Sequence, residues 1–324
     1  MSEAVLKLTV YFGESDRVGG RLVSDGLCDL FERREVRAAL LLRGVEGFGA
    51  KQLLHTDRFL TLSEDLPLVA LAVDDEAAIR SLAPDVERLV RGGLVTVERL
   101  RPAGGGELPE PAKLTVHLGR DDPYVAVVEH LRRAGLAGAS VLLGVDGMAH
   151  GRRRRARFLS RNESVPLLIV SVGSAAAAAR ALEGLPDVVA DAVATIERVE
   201  ILKRDGARLA ELPSAPAGTW QKLTVYAGEQ ARHRRRPLHV ELVRRLRAAH
   251  ASGATTLRGV WGFSGDHAPH GDRLLAVHRR VPVLTTVVDD PDRVRSAYRI
   301  VDELTDETGL VTVETVPTVL LPRA

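Results

Sequence analysis

Two stretches of the chain join an arginine to closely spaced glycines at the end of an apolar run, which is the composition of a phosphate-binding loop. LLRGVEGFGA at 41–50 contains Arg43, Gly44, Gly47 and Gly49, and TLRGVWGFSG at 256–265 contains Arg258, Gly259 and Gly262. Backbone amides in such turns can converge on an anion, and a guanidinium group can pair with it. These residues predict a site for a small anionic ligand.

A second kind of glycine turn lies farther along both regions. RGGLVTVE offers Arg91, Gly92 and Gly93, and ETGLVTVE offers Thr308 and Gly309. We add these five residues to the predicted ligand-binding set, and we predict neither a catalytic residue nor a metal ligand. The simpler alternative, in which the glycines only give the backbone freedom to turn, stays open.

The middle of the chain carries a weaker version of the same pattern. VLLGVDGMAH at 141–150 keeps Gly144 and Gly147 but has Leu143 in place of the arginine, and Ala192 stands where Gly93 and Gly309 stand. The sequence therefore predicts sites that are not equivalent, with those in the middle region altered or lost. Ordinary drift after duplication would produce the same changes.

Two other chemistries are less well supported. A dinucleotide fingerprint needs its glycines between a strand and a helix, whereas these glycines lead into a long loop. In GDHAPHGD, His267 and His270 lie between Asp266 and Asp272, but the rest of the chain lacks this pattern. A metal-binding protein, similar in fold to the divalent-cation tolerance family, is the first alternative function. An enzyme is a weaker one, since no catalytic constellation recurs along the chain.

The elements that position these residues occur three times. KLTV begins at Lys7, Lys113 and Lys222, and a proline precedes a later apolar run at Pro67, Pro166 and Pro282. Such self-similarity indicates tandem copies of one domain. We predict domains at 1–101, 113–202 and 221–324, the second degenerate, with linkers rich in glycine, proline and alanine between them.

Each copy predicts the element order β-α-β-β-α-β. In the first copy, LKLTVYFG alternates as a half-buried strand, and RLVSDGLCDLFERREV shows helical spacing of its apolar residues. Strands follow at RAALLLRG and LPLVALAV, then a helix capped by Asp74 or Asp75, and finally LVTVERL. The order predicts an α+β protein made of three tandem ferredoxin-like domains.

Apolar residues occupy both faces of the second and third strands, as in AALLL and PLVALAV. Strands of this kind are buried on both sides. We therefore predict that the three sheets pack inward around a pseudo-threefold axis, as an intramolecular trimer, and not as separate beads.

Composition excludes several classes of protein. The chain has 45 Lys plus Arg against 43 Asp plus Glu, a balance that gives no general signal for nucleic-acid binding, although arginine runs at 152–155 and 234–236 suit solvated loops or anions. Its single cysteine, Cys28, makes no disulfide framework. No apolar stretch is long enough to span a bilayer, so a cytoplasmic location is expected.

These motifs carry a family resemblance. KLTVYFGESDRVGGRL, LLRGVEGFGA, TDRFLTLSEDLPLVALAVDD and GGLVTVERL resemble the uncharacterised bacterial DUF190 family, whose members are similar to the PII signalling proteins. The third copy follows the pattern through KLTVYAGE, LRGVWGFSG and VPVLTTVVDD, and the second follows it more weakly. The resemblance implies a subunit that usually forms a homotrimer, with small-molecule sites between subunits. In PII proteins those sites take adenine nucleotides.

The resemblance also implies a function. Family members often sit beside fluoride-exporter genes, which suggests regulation of a membrane transporter. We expect a non-catalytic, cytoplasmic, PII-like regulator without a resident cofactor, in which an anionic ligand orders projecting loops at about 47–65, 147–164 and 262–280. One chain would replace the trimer, without a nucleic-acid partner. A scaffold that binds a protein through these loops without any ligand is a further alternative.

Overall fold

The computed structural model shows a mixed α/β chain built from three repeats, as the sequence predicts. It describes residues 4–49, 52–56, 65–102, 107–119, 121–149, 152–155, 165–190, 192–264, 270–271 and 281–320. Each repeat contains two helices and a four-stranded antiparallel sheet. The elements below are numbered along the chain.

Repeat 1 contains eight strands and two helices, because short hairpins add to the predicted elements. They are β1 (Val5–Gly13), β2 (Arg17–Val18), β3 (Arg21–Leu22), α1 (Val23–Arg33), β4 (Ala38–Arg43), β5 (Glu46–Phe48), β6 (His55–Thr56), β7 (Pro67–Asp75), α2 (Glu76–Leu89) and β8 (Leu94–Pro102).

Repeat 2 is the shortest version, and its described residues between the first strand and the first helix form no hairpin. Its elements, with the tail that follows, are β9 (Ala112–Leu118), α3 (Tyr124–Arg133), β10 (Gly138–Ala149), β11 (Arg152–Arg155), β12 (Leu167–Gly173), α4 (Ala175–Val188), β13 (Val193–Arg198), β14 (Glu200–Arg204) and β15 (Ala207–Arg208).

Repeat 3 resembles repeat 1 closely. Its elements are β16 (Trp220–Gly228), β17 (Arg232–His233), β18 (Arg236–Pro237), α5 (Leu238–Ala248), β19 (Ala254–Arg258), β20 (Trp261–Ser264), β21 (His270–Gly271), β22 (Pro282–Asp289), α6 (Pro291–Leu304), β23 (Leu310–Val316) and β24 (Thr318–Leu320).

The strands of each repeat pair in the same order, with the first strand between the fourth and the third. The orders are β8-β1-β7-β4, β13-β9-β12-β10 and β23-β16-β22-β19. Helices cover one face of each sheet, as when Leu27 and Phe31 of α1 pack against Leu8 and Val10 of β1 in one fully buried cluster. Asp75 caps α2 by accepting a hydrogen bond from the Ala78 amide at 2.8 Å.

A first cycle of strand pairing connects the repeats through the segment after the second strand. β5 of repeat 1 pairs with β19 of repeat 3, β20 of repeat 3 pairs with β10 of repeat 2, and β10 of repeat 2 pairs with β4 of repeat 1. Each repeat therefore adds a short strand to the next one, and the three pairings form a closed circuit.

A second cycle uses the end of each fourth strand. The end of β8 pairs with β13, β14 pairs with β23, and β24 pairs with β8. Repeat 1 thus extends onto repeat 2, repeat 2 onto repeat 3, and repeat 3 onto repeat 1. The segment around Lys203, which the sequence assigned to a linker, is part of this circuit, and its pairing partner lies more than a hundred residues away.

The sheet faces without helices meet one another. Leu40 and Val69 of repeat 1, Leu142 and Leu168 of repeat 2, and Leu284 of repeat 3 belong to one buried cluster. This contact explains why the second and third strands are apolar on both faces. Most of the loops that we expected to project lie outside the described residues.

Candidate functional site

A ring of six charged side chains lies where the three sheets meet. A lysine lies on the inward face of each first strand, and a glutamate lies directly opposite it on the fourth strand. The paired positions are Lys7 with Glu98, Lys113 with Glu197, and Lys222 with Glu314. Because side chains alternate along a strand, both members of each pair point to the same face.

Every lysine of this ionic ring contacts two glutamates. Within the repeats, the Nζ–Oε distances are 3.0 Å for Lys7–Glu98, 2.9 Å for Lys113–Glu197 and 3.1 Å for Lys222–Glu314. Between repeats, Lys7 also pairs with Glu197, Lys113 with Glu314, and Lys222 with Glu98. The charges alternate around a closed, neutral circuit that joins all three repeats.

Burial and charge act in opposite directions on these groups. Burial alone would raise the pKa of Glu98, but the ammonium groups of Lys222 and Lys7 outweigh it and lower the pKa to about 2. The pKa of Glu197 is also lowered, by Lys113 and Lys7 acting against burial. Burial would lower the pKa of Lys222, but Glu314 and Glu98 hold it well above its ordinary value. The lowered pKa values of Glu98 and Glu197 and the raised pKa of Lys222 keep these three groups ionised at neutral pH.

A cavity of about 110 Å³ adjoins the ring. Its lining follows the register of the first strands: the lysines come first, then Thr9, Thr115 and Thr224, and then Tyr11, His117 and Tyr226. Leucine and valine from the second and third strands complete the wall. The cavity thus has polar layers from all three repeats and apolar sides.

His117 breaks the symmetry of the aromatic layer, since tyrosine occupies the equivalent position in repeats 1 and 3. The histidine is buried, with 7% of its surface exposed. Burial lowers the pKa of His117 to about 4, and the charge of Lys7 lowers it further, against a smaller opposite effect of Glu197. The imidazole is therefore neutral at physiological pH.

This lowered pKa leads to a testable pH dependence. Between about pH 6.5 and pH 4 the unfolded chain binds a proton that folded His117 does not, so the free energy of unfolding should fall by roughly 2–4 kcal/mol over that range. His117→Tyr, which restores the residue of the other repeats, should remove this part of the dependence. Urea unfolding of both proteins at pH 7.5 and 4.5 measures the difference, and equal pH dependence would contradict the assignment.

The three glutamates raise the question of a metal ion. Their ligand atoms lie within 4.8 Å of one another. Each carboxylate, however, lies beside two ammonium groups, which already balance its charge and would repel a cation at the same place. The lysines of the ring therefore compete with a metal ion for the same carboxylates.

The predicted glycines lie where strands of neighbouring repeats approach each other in the first pairing cycle. Gly44 donates its amide hydrogen bond to the Pro67 carbonyl at 2.8 Å, and the Val45 amide donates to Thr256 of repeat 3 at 2.9 Å. A Cβ atom at Gly47 would lie 2.5 Å from the Ala254 carbonyl oxygen, whereas one at Gly49 would meet nothing within 4 Å. The Gly44 and Val45 amides bind protein carbonyls. The close approach of repeat 3 accounts for Gly47, and Pro67 of repeat 1 together with Thr256 of repeat 3 accounts for Gly44.

The same close approach of glycines to a neighbouring backbone recurs in the other repeats. Gly259 donates to Pro282 at 2.7 Å, and a Cβ atom at Gly262 would lie 2.2 Å from the Ala139 carbonyl oxygen. Gly147 approaches Ala39 in the same way. The phosphate-binding role of these glycines stays a prediction.

The two predicted arginines of the loop bases each bind a glutamate. Arg43 contacts Glu14 at 2.8 Å, with both side chains partly exposed. Arg258 binds Glu229 through two hydrogen bonds of 3.0 and 3.1 Å. Repeat 2 has Leu143 at this point, so it cannot form such a pair.

The second predicted turn lies beside these pairs. Gly93 packs on the Tyr11 carbonyl at the end of β1, and Gly309 packs on the Tyr226 carbonyl at the end of β16. Both glycines have positive φ angles, 112° and 97°. Arg91 and Gly92 are exposed, and Thr308 is half-buried. In repeats 1 and 3, an arginine, a glutamate and a glycine turn therefore lie near the end of the first strand.

Two other sequence motifs have different outcomes. Arg153, from the run at 152–155, is largely buried and binds Asp146 at 2.8 Å and Asp29 of repeat 1 at 2.5 Å. The proposed metal ligands Asp266, His267 and Asp272 lie outside the described residues, and of His270 only the backbone is described.

Sequence analysis did not select the ionic ring, although a signal existed. The chain has five lysines and forty arginines, and three of those five lysines open the three KLTV motifs. A chain that uses arginine almost everywhere but lysine at one repeated position indicates a requirement for a compact ammonium group there.

The family assignment follows from the repeats. The DUF190 family model, described as Uncharacterized ACR, matches residues 5–101, 112–201 and 220–318. The chain belongs to the DUF190 family. Its three DUF190 repeats account for nearly all of the sequence.

Two individual proteins match this DUF190 chain, one of them over a single repeat. The UPF0166 protein MJ1524 of Methanocaldococcus jannaschii is 26% identical over 91 residues, which are 28% of this chain and 83% of that relative. That relative is thus about as long as one repeat. The crystal structure of aspartate kinase from Synechocystis is 12% identical, with a TM-score of 0.29, over 96% of this chain and 44% of the kinase chain. The chain spans less than half of that kinase, and the likeness is too weak to support an inference.

None of the helices among the described residues is long and apolar enough to cross a membrane.

Proposed function

We propose that this DUF190 chain is a non-catalytic, PII-like regulatory protein. Its three ferredoxin-like repeats act as an intramolecular pseudo-trimer, and an anionic small molecule such as a nucleotide binds in the clefts between repeats. The two closed cycles of strand pairing support this arrangement, since they give each repeat the same two neighbours.

The observation that carries the proposal is the pair of glutamate–arginine contacts at the loop bases. Glu14–Arg43 in repeat 1 and Glu229–Arg258 in repeat 3 occupy matching positions. In repeat 2 the sequence has Arg120 where the glutamate stands, since Gly119 and Gly13 open the same turn. Both members of the pair are therefore changed together in the copy whose cleft we expect to be altered.

These pairs suit a ligand-controlled switch. Arg43 is the last residue of β4 and immediately precedes Gly44, where the repeats pair, so its side chain lies where the loop leaves the sheet. An anionic ligand competes with Glu14 for the guanidinium group. The exposed ion pair contributes only about 0–1 kcal/mol, so a phosphate that forms two hydrogen bonds displaces it at small cost. The released glutamate then changes the path of the loop.

The controlled partner is a cytoplasmic surface of a membrane transporter, such as a fluoride exporter. This step rests on the family resemblance and on the position of the glutamate–arginine pairs at the ends of the second strands. The chain itself acts as a monomer in the cytoplasm, because its repeats supply the three subunits.

Substitutions at the two glutamate–arginine pairs test the ligand site. Arg43→Ala combined with Arg258→Ala should weaken binding of ATP or ADP about 10- to 100-fold, since each removes a charged hydrogen-bond donor. Glu14→Gln should strengthen binding up to about 5-fold, because it removes a competitor of the ligand. Isothermal titration calorimetry measures both changes, with inorganic phosphate as a second probe.

Arg80→Ala is the matched control, since Arg80 is also exposed and paired with a glutamate, Glu76, but lies on α2. Equal affinities of the control and the double variant would overturn the cleft assignment. If no nucleotide or phosphate binds the wild-type protein, the scaffold is favoured. Uptake of Zn²⁺ that is lost in a His267→Ala, His270→Ala variant would instead favour the metal-binding alternative.

A further inference from the structure

Repeat 3 carries a concentration of arginines that the ligand site does not use. The hairpin of β17 and β18 contains Arg232, Arg234, Arg235 and Arg236, all exposed. Helix α5 begins at the next residue but one and adds Arg244 and Arg247. These six residues are called the arginine patch below.

Comparison with repeat 1 shows that the charge has been reversed at this place. Helices α1 and α5 start at the same point of their repeats, so Asp29 and Glu32 of α1 correspond to Arg244 and Arg247 of α5. The two acids bind Arg153 of repeat 2. Repeat 3 therefore presents basic groups where repeat 1 uses acidic groups for contact within the chain.

The hairpin turn has kept arginine where glycine fits better. Arg234 has a φ angle of 54°, and the corresponding residue of repeat 1, Gly19, has a φ angle of 59°. The next residues are Arg235 and Gly20. A residue with a side chain adopts this left-handed region at a cost in free energy. Arg234 therefore stands against backbone preference, and with Arg235 beside it at the exposed tip this points to a use for the charge.

The geometry of the patch suits a surface and not a pocket. Arg232 pairs with Pro237 and His233 pairs with Arg236, so Arg232 and Arg236 lie on opposite faces of the hairpin. Such guanidinium groups cannot converge on one small ligand. Of the patch, Arg236 and Arg244 contact Glu241, whereas no ion pair of Arg232, Arg234 or Arg235 occurs among the described residues.

We propose that the arginine patch docks the protein on an anionic lipid surface. Diverging guanidinium groups on a convex tip can bind several headgroup phosphates at once, and each basic side chain near such a surface adds to the attraction. The hairpin contains no aromatic or long aliphatic side chain that could insert, so binding stays at headgroup level and depends on salt. The rest of the chain lacks the general positive charge and the aromatic groups that favour nucleic acids. This docking does not require a ligand between the repeats.

Vesicle flotation tests the proposal with the full chain. Wild-type protein should bind vesicles with 30% phosphatidylglycerol, but not pure phosphatidylcholine vesicles, in about 50 mM salt, and binding should be lost at about 300 mM. Arg234→Gly combined with Arg235→Gly copies the turn of repeat 1 and should weaken binding roughly 10- to 30-fold. Its melting temperature should change little, because glycine suits the left-handed backbone at position 234 and so offsets the loss of backbone order at position 235.

Arg132→Gln combined with Arg133→Gln is the matched control, since it removes two positive charges from the exposed side of α3 and should leave vesicle binding unchanged. Equal binding by the turn variant and this control would overturn the proposal. So would wild-type protein that does not bind anionic vesicles in low salt. Tighter binding to duplex DNA than to vesicles at the same salt would also overturn it, by assigning the patch to nucleic acid.

Discussion

Replacing Glu197 with glutamine is expected to lower the free energy of unfolding by about 3–5 kcal/mol. The substitution keeps the shape of the side chain but removes one of the three negative charges of the ionic ring. Lys7 and Lys113 would each keep a single carboxylate partner while remaining buried. Breaking a buried ion pair on one side is costly because it leaves the other charge uncompensated. Urea unfolding at pH 7 measures the loss.

Glu129→Gln is the control for this experiment. Glu129 also contacts two basic residues, Arg132 and Arg133, but it does so at the surface of α3, so its urea midpoint should hardly change. Adding Lys113→Met to Glu197→Gln should recover part of the lost stability, because it removes the excess positive charge that the first change leaves in the ring. Equal losses for Glu197→Gln and the control would show that the ring is solvated and carries little of the stability.

The ring also makes the stability of the fold depend on pH in the acidic range. The pKa values of Glu98 and Glu197 are lowered in the folded state, so their contribution to stability is present above the ordinary glutamate pKa of about 4.3. It is lost as the pH falls toward the folded values. This loss lies below the range in which His117 acts, and the two effects are separable by pH.

Gly93→Ala is expected to be the second large loss, of about 2–4 kcal/mol. A Cβ atom at this position would lie 2.2 Å from the Tyr11 carbonyl oxygen, and the φ angle of 112° is one that side chains disfavour. The clash is with backbone, so no side chain can move away to relieve it. Thermal or urea unfolding measures the change.

The neighbouring residue provides the comparison. A Cβ atom at Gly92 meets nothing within 4 Å, and its φ angle is not in the left-handed region, so Gly92→Ala should change stability by about 0.5 kcal/mol or less. If both substitutions cost the same, the turn before the fourth strand is not held as the structure shows. Gly93 is in this sense a structural residue, whatever binds beside it.

Much of the fold could be predicted because the same sequence pattern recurs in three repeats. The alternation of KLTVYFG, the helical spacing around Leu27 and the caps such as Asp75 are local signals, and each recurs in at least two repeats. Apolar strands such as AALLL also indicated correctly that both sheet faces are covered. Local signals, however, do not specify which repeat supplies the cover.

The inter-repeat contacts could not be predicted in the same way. Pairing of Thr255 with Gly47, or of Ile201 with Thr312, joins residues far apart in sequence, and short strands such as β5 and β14 have no periodicity of their own. The glycine motif was therefore open to two interpretations. The structure explains Gly47 by the approach of a neighbouring backbone, which a single repeat cannot reveal, whereas Gly44 also lies against Pro67 of its own repeat.

The ionic ring was missed for a related reason. Lys7 and Glu98 look like ordinary polar residues on the open face of an isolated sheet, where they would be solvated. Only the meeting of three such faces buries them. Their repetition at Lys113 with Glu197, and at Lys222 with Glu314, was visible in the sequence, but its meaning depended on the packing.

The closed circuit of strand pairings has a consequence for how this protein can change. In a trimer of identical subunits, any substitution is made three times, so a residue useful at one interface must be tolerated at all. A chain that encodes its three interfaces separately can change one interface without changing the other two. An identical trimer would have to accept each change in every subunit. In this chain the changes occur once each: His117 where the other repeats have tyrosine, Leu143 at the position equivalent to Arg43, and Arg234 at the position equivalent to Gly19.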